Sequence, residues 1–451
     1  MAETMEEGSF DVAVVGAGLA GLTAARVLTA RGRRVVVLEA SEQVGGRTRN
    51  HTFDDGSVVE IGGQWVGPTQ DRLYAYAAEL GVETYPTYDD GENLLHVGGE
   101  LKRYRGGTFG LPVHVAADVA LAQLRLERMS KRVPLEAPWM APRAREWDGQ
   151  TFATWIDRNL YTSLGRRFLR VAVQAVFSAE AEDMSLLHFL FYVHSGGDLD
   201  LLLGTAGGAQ ESRFVGGSQL VSQRLTETLG DAVWLSSPVL RISQNDDGVT
   251  VGGGWGELRA RRCVVTAPPS VIGRIGFDPP LSGRRAQLHA KLPAGHVIKC
   301  LARYERPFWR SDGLNGQADS ATHPLAVCFD NSPREGSAGI LLGFLEGRHA
   351  RRASSLGAVE RRALVLDGFA TYFGERAREP LEYVEQDWAQ EEWIRGGYGA
   401  HFPPGVWTQY GDLLRRPEGR IHWAGTETSP VWNGYMDGAI RSGERVAAEL
   451  A

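Results

Sequence analysis

The sequence predicts an α/β protein, α+β overall, on three observations. An apolar run, a glycine turn, a helical pattern and a second apolar run open the chain over residues 11–39. Helical patterns dominate from about Glu83 to Leu203. Alternating runs typical of an antiparallel sheet occupy Val297 to Phe344. At 451 residues the chain exceeds the usual single-domain range, so two or more domains are expected.

The opening unit is the most specific. Val12, Val14 and Val15 form a short apolar run that reads as a strand buried on both faces. It leads into Gly16-x-Gly18-x-x-Gly21, with a helical pattern from Leu19 to Ala30 and a second strand from Arg34 to Leu38 that ends at Glu39. Gly16 permits the tight turn, Gly18 lets backbone approach a pyrophosphate, and Gly21 lets helix and strand pack closely. The helix start offers unpaired N–H groups to an anion, and Glu39 can accept from ribose hydroxyls. This is a Rossmann-like dinucleotide site, and by itself it does not choose between NAD and FAD.

Two glycine-rich turns follow. Val44-Gly45-Gly46-Arg47-Thr48 suggests a loop folded over the dinucleotide, with Arg47 in reach of its phosphates. Glu60-Ile-Gly-Gly-Gln64-Trp65-Val-Gly-Pro68 leads into a helix over Gln70–Leu80, stopped by Gly81. In the helical block, Val113–Arg132 is read as amphipathic, with Ala117, Leu121 and Leu124 on its apolar face. Thr151 caps Phe152–Asn159, and further helices are expected at Leu164–Phe177 and Ser185–His194. Gly196–Gln210 reads as a loop. Ser218 is the expected N-cap of a helix whose apolar side is Leu220, Val221, Leu225 and Leu229, ending at Gly230. Strands at Val233–Leu235, Val239–Ser243, Val249–Val251 and Cys263–Thr266 return the chain to the dinucleotide domain, which is therefore discontinuous. Val297–Tyr304, Leu325–Phe329 and Ile340–Phe344 are sheet strands, Ala358–Tyr372 a helix and Ile421–Ala424 a last strand before a final helical region. The resulting division assigns 1–82, 211–290 and 390–451 to the dinucleotide domain. Residues 83–210 and 291–389 form a mixed substrate domain of antiparallel sheet and helices.

Net charge is −7 and no basic tract stands out, which argues against nucleic acid as a partner. The acidic stretch Met1 to Phe10 lacks the basic and apolar regions of a signal peptide. The longest apolar stretches, such as Leu186 to Val193, are too short for a membrane anchor. Cys263, Cys300 and Cys328 are isolated in apolar runs, suit a reducing, cytoplasmic compartment and show no metal-ligand spacing.

Several distant segments then carry a resemblance. They are Gly62 through Gln70, Phe214-Val-Gly-Gly-Ser218, Val297-Ile-Lys-Cys300 with Pro307-Phe-Trp309, Tyr398 through Gly405, Trp423 through Thr428, and Trp432-Asn-Gly-Tyr-Met-Asp-Gly438. Over essentially its whole length the chain resembles the flavin-containing monoamine oxidase family, particularly the soluble bacterial members that include the putrescine oxidase group. The resemblance implies FAD, a small-molecule amine substrate, O2 as electron acceptor and hydrogen peroxide as product. It implies an aromatic cage at Tyr398 and Tyr435, and a catalytic Lys299 that holds a water against flavin N5. A lysine inside the apolar run His296-Val-Ile-Lys-Cys-Leu is unusual in itself, since a buried ammonium is costly unless paired. The implied FAD contacts are Gly16, Ala17, Gly18, Leu19, Ala20, Gly21, Glu39, Ala40, Gly46, Arg47, Gly63, Gln64, Trp65, Val66, Ala267, Gly425, Thr426, Glu427, Gly434 and Met436, with Val239 against adenine and Trp388 near the isoalloxazine.

The chain departs from the animal members in two respects. Gly397 stands where those carry the cysteine bonded to flavin, so FAD is expected to be non-covalent, and no C-terminal membrane helix is expected. The positions matching the substrate cavity are Trp65, Ala175, Leu203, Gln210, Val327 and Phe344. This mostly apolar set favours a primary monoamine with an apolar or aromatic tail. A diamine, polyamine or L-amino-acid oxidase or a desaturase of the same fold remains open. So does a non-catalytic flavin-binding redox sensor. Val327 occupies the place of the glutamate of putrescine enzymes, and no arginine is clearly placed to clamp a carboxylate. Family habit alone suggests a homodimer.

Overall fold

Strand Phe10–Val15 lies between two parallel partners, Val35–Leu38 on one side and the end of Gly256–Val265 on the other. Val14 faces Val37 and Val264 in register. All four residues of Val35–Leu38 are buried, as the continuous apolar run requires. The computed structural model describes residues 10–106 and 110–450. The acidic N-terminal stretch therefore lies outside the described residues except for Phe10.

The first sheet has eight strands. Gly256–Val265 is its pivot. Its first half pairs antiparallel with Val249–Gly253, and its last three residues pair parallel with Ile421–Trp423. Helices Leu19–Ala30 and Met436–Glu449 cross over this sheet closely enough that a Cβ on Gly443 would fall 2.4 Å from the Ala20 carbonyl oxygen. The strand expected from Val239 begins at Arg241, because Val239 lies beside a cavity rather than in the ladder.

The second sheet has seven strands. In spatial order they are Glu382–Asp387, Val297–Tyr304, Gly339–Glu346, Leu325–Asp330, Leu314–Ser320, Glu92–Val97 and Glu100–Tyr104. The last two correct the reading of 83–203 as helical from its start. Their hairpin turns through Gly98 and Gly99, at φ of 62° and 81°, a two-glycine turn that fits the twist of antiparallel strands. One face of the sheet packs on helix Ala358–Phe373.

The helical block has its own core, in which Phe152 stacks on Phe189 with ring centroids 3.7 Å apart. Thr151 caps its helix by accepting from the Thr154 N–H at 3.1 Å. Ser185 caps Leu186–Gly196 by accepting from the His188 N–H. Three expectations are corrected. Helix Val113–Ser130 buries Val115, Ala122 and Leu126, and leaves Ala117, Leu121 and Leu124 exposed. Ser218 makes no capping bond, because its hydroxyl donates instead to the Gly63 carbonyl. The stretch read as a loop contains helix Leu199–Leu203, capped by Asp198. Among the described residues no helix is long and apolar enough to cross a membrane.

Candidate active site

The glycine turn opens one end of an elongated cavity of about 190 Å³. A Cβ on Gly16 would meet Thr266 Oγ1 at 2.6 Å, and one on Gly21 would meet the Gly16 oxygen at 2.0 Å. At Gly18 the nearest atoms would lie 3.9 Å away, so its missing side chain clears space in the cavity rather than for protein packing. Helix Leu19–Ala30 starts with no side-chain cap and no acid in its first turn, which leaves its N–H groups to an anion. Glu39 lines the same cavity. Its Oε2 accepts from the Ala17 N–H at 2.7 Å and its Oε1 from Ser41, which fixes the carboxylate while lone pairs remain for hydroxyls. This donor set fits a dinucleotide such as FAD.

Gly16, Gly18, Leu19, Ala20, Glu39, Ala40, Gly46, Arg47, Gly63, Val239, Ala267, Trp388, Gly425, Thr426, Gly434 and Met436 all line this cavity. Five others do not. Ala17 contributes its N–H to Glu39, and Gly21 packs against the turn. Val66 is buried where its backbone pairs with Ser212. Gln64 and Trp65 face a second cavity instead. Glu427 lies behind Arg47, whose guanidinium donates to both its oxygens, at 2.6 and 3.2 Å, and to the Tyr398 carbonyl. Burial disfavours the Glu427 carboxylate, but Arg47 outweighs burial and holds its pKa below the usual range.

The second cavity, about 480 Å³, joins the first. Gly62, Gly63, Lys299, Tyr398, Gly434, Tyr435 and Met436 line both. Lys299 is buried in strand Val297–Tyr304 and donates from Nζ to the Gly62 carbonyl at 2.8 Å and to Gln64 Oε1. Gln64 in turn donates to Asn331 Oδ1, and the buried Arg213–Glu60 ion pair lies behind it. Burial lowers the Lys299 pKa to about 7, with Glu60 opposing and Arg213 assisting. Burial also raises both phenols above their ordinary value.

Trp65, Ala175, Leu203, Gln210, Val327 and Phe344 all line the second cavity. Sequence reasoning missed its acids, Asp89, Asp319 and Glu346. Glu346 follows Phe344 by two residues on one strand, and therefore shares its face. Its Oε1 accepts from the Tyr398 hydroxyl at 2.9 Å. Asp319 sits opposite Val327 in a cross-strand row that runs Lys299, Phe344, Val327, Asp319. Burial raises its pKa to about 6 although Tyr104 donates to it. Lysine 299 is the one cationic side chain among the described lining residues.

Comparison with known proteins bears on this arrangement. The model of the family of flavin containing amine oxidoreductases matches residues 19–451. A Mycobacterium tuberculosis protein assigned as flavin-containing monoamine oxidase AofH is 43% identical over 441 residues, covering 98% of this chain and 96% of that one. A solved wild-type putrescine oxidase bound to putrescine superposes with a TM-score of 0.95 at 36% identity, covering 98% of each chain. Cyclohexylamine oxidase from Brevibacterium oxydans superposes at 0.94 with 33% identity, again over 98% of each chain.

Proposed function

The chain belongs to the family of flavin containing amine oxidoreductases, and from that premise we propose that it oxidises primary amines carrying an apolar or aromatic tail. It is a flavin-dependent amine oxidase of the monoamine oxidase type, and its cofactor is FAD, held non-covalently. Gly397, beside Tyr398, offers no atom for a covalent bond to it. When bound, FAD accepts a hydride from the carbon beside nitrogen and passes the electrons to O2, giving hydrogen peroxide.

One observation carries the reading: Lys299, Tyr398 and Tyr435 line both cavities, where cofactor and amine would meet. With two acceptors already engaged, Lys299 Nζ has one position left to hold a water. The two tyrosines stay protonated, so they offer neutral ring faces to the amine nitrogen and no phenolate that would keep it an ammonium. Asp89 and Asp319 draw cations into the cavity, and no arginine among the described lining residues matches a substrate carboxylate, which disfavours amino acids. In this reading 1–82, 211–290 and 390–451 hold FAD, and 83–210 and 291–389 hold the amine. A cytoplasmic homodimer belongs to the same proposal, with size-exclusion chromatography as its check.

Peroxide release from a panel of phenethylamine, tyramine, putrescine and an L-amino acid tests it. The aromatic amines are expected to give the highest kcat/KM; putrescine equal to or better than phenethylamine overturns the preference, and no turnover of any amine overturns the oxidase. Asp319 favours a second reading, a long diamine. It lies three interstrand steps of about 4.8 Å from Lys299, roughly 14 Å along the sheet. In that case kcat/KM rises with chain length from putrescine upward, and Asp319→Asn removes the rise.

A further inference from the structure

A buried carboxyl touches Tyr398 of the tyrosine pair and has no part in the reading above. Glu346 ends strand Gly339–Glu346, lines the amine cavity and is 2% exposed. Its Oε1 accepts from the Tyr398 hydroxyl at 2.9 Å and from the Ser178 hydroxyl at 3.4 Å. Its Oε2 is buried and has no hydrogen-bond partner among the described residues. A buried carboxylate oxygen without a donor is costly, so this atom calls for a proton or for a ligand that brings one. We propose that Glu346 is the proton acceptor of the amine site, taking one proton from the incoming ammonium so that its nitrogen reaches the junction neutral.

The step is a proton transfer. An N–H bond of R–NH3+ breaks and an O–H bond forms on Oε2, with no change of oxidation state. An ion pair becomes a neutral acid beside a neutral amine, and the nitrogen lone pair is freed to assist hydride loss. The proton returns to solvent when the product leaves the cavity. Tyr398 and Ser178 face the carboxyl, with Glu180 beyond them. Glu180 is itself held by Gln174 and lies 3.5 Å from Arg348 and 3.9 Å from Arg351. On the adjacent strand Glu346 pairs with uncharged Val297, and Lys299 is two residues along. Burial raises the Glu346 pKa to about 8, the two hydroxyls oppose it and Glu180 adds to it. A base poised near ambient pH suits this transfer.

The inference rests on the amine-oxidase reading. Its test is anaerobic stopped-flow reduction of the holoenzyme by phenethylamine as a function of pH, in wild type, Glu346→Gln and Tyr398→Phe. The wild-type rate is expected to fall off on the acid side near the carboxyl pKa. In Glu346→Gln that fall moves up toward the pKa of a free alkylamine, so the rate drops at least about tenfold near pH ~7 and stays within about threefold near pH ~10. Tyr398→Phe removes a donor that lowers the carboxyl pKa, so its acid limb shifts upward, and it reports even if Glu346→Gln fails to fold. A Glu346→Gln profile that matches wild type, falls equally at all pH or shifts downward overturns the assignment alone, as does an unshifted Tyr398→Phe limb. A wild-type flavin that phenethylamine never reduces overturns the oxidase reading and the assignment with it.

Discussion

Replacing Lys299 with methionine should change how stability depends on pH. Burial moves the Lys299 pKa from 10.5 to about 7. In the unfolded chain the amine keeps its proton up to its ordinary pKa, whereas in the fold it sheds the proton near neutrality. Between those limits the unfolded state binds more protons, so stability rises with pH, by up to about 1.4 kcal/mol per unit. Half-titration at the lower end trims the gain, and from pH ~7 to pH ~9 wild type should gain roughly 2 kcal/mol relative to Lys299→Met. The bonds lost to Gly62 and Gln64 offset the variant equally at both pH values and cancel, as do all other titrating groups. Urea unfolding in saturating FAD, followed by tryptophan fluorescence for both proteins at both pH values, measures the difference. Parallel pH dependence of the two would refute a buried lysine that titrates near neutrality.

Other predictions address the cofactor. Gly18→Ala meets no protein atom closer than 3.9 Å, so the apoprotein should melt as wild type does while FAD affinity falls at least about tenfold; full flavin content would contradict this. Gly21→Ala places a Cβ 2.0 Å from the Gly16 oxygen and should lower both apoprotein stability and flavin content. Glu427→Gln leaves the Arg47 guanidinium without its buried counter-charge and should cost about 3 kcal/mol in urea unfolding, with a loss under about 0.5 kcal/mol counting against the pair. Acid precipitation should release yellow flavin into the supernatant, and colour retained in the pellet would show a covalent bond.

The opening unit was legible because its signals are local and agree: apolar runs, fixed glycine spacing and an acid where the second strand ends. The face of helix Val113–Ser130 was not. It carries Val113, Ala117, Leu121 and Leu124 on one side and Val115, Ala122 and Leu126 on another, and only packing against the helix Leu186–Gly196 layer decides between them. The Gly98-Gly99 pair is a local hairpin signal, but its two strands are short and lead into a long helical block whose pattern dominates the region. Asp319 and Glu346 were hidden for a different reason. Alternation along a strand says which residues share a face, but whether that face meets solvent, core or a cavity is set by what lies over the sheet. Glu427 was visible as a motif residue, but that it holds Arg47 rather than facing the cavity depends on a contact 380 residues away in sequence.

The pivot strand Gly256–Val265 has a consequence for how the protein is made. Val14 pairs with Val264, roughly 250 residues later, and Ile421–Trp423 joins beyond that. At about 5–20 residues per second, a ribosome leaves the first strand without that partner for on the order of 10 to 50 seconds. During that interval the glycine turn exists without the strand that flanks it, and an edge that ends up interior is open to other chains. Yield of this protein should therefore respond to translation speed and chaperone supply, independently of the stability of the finished fold.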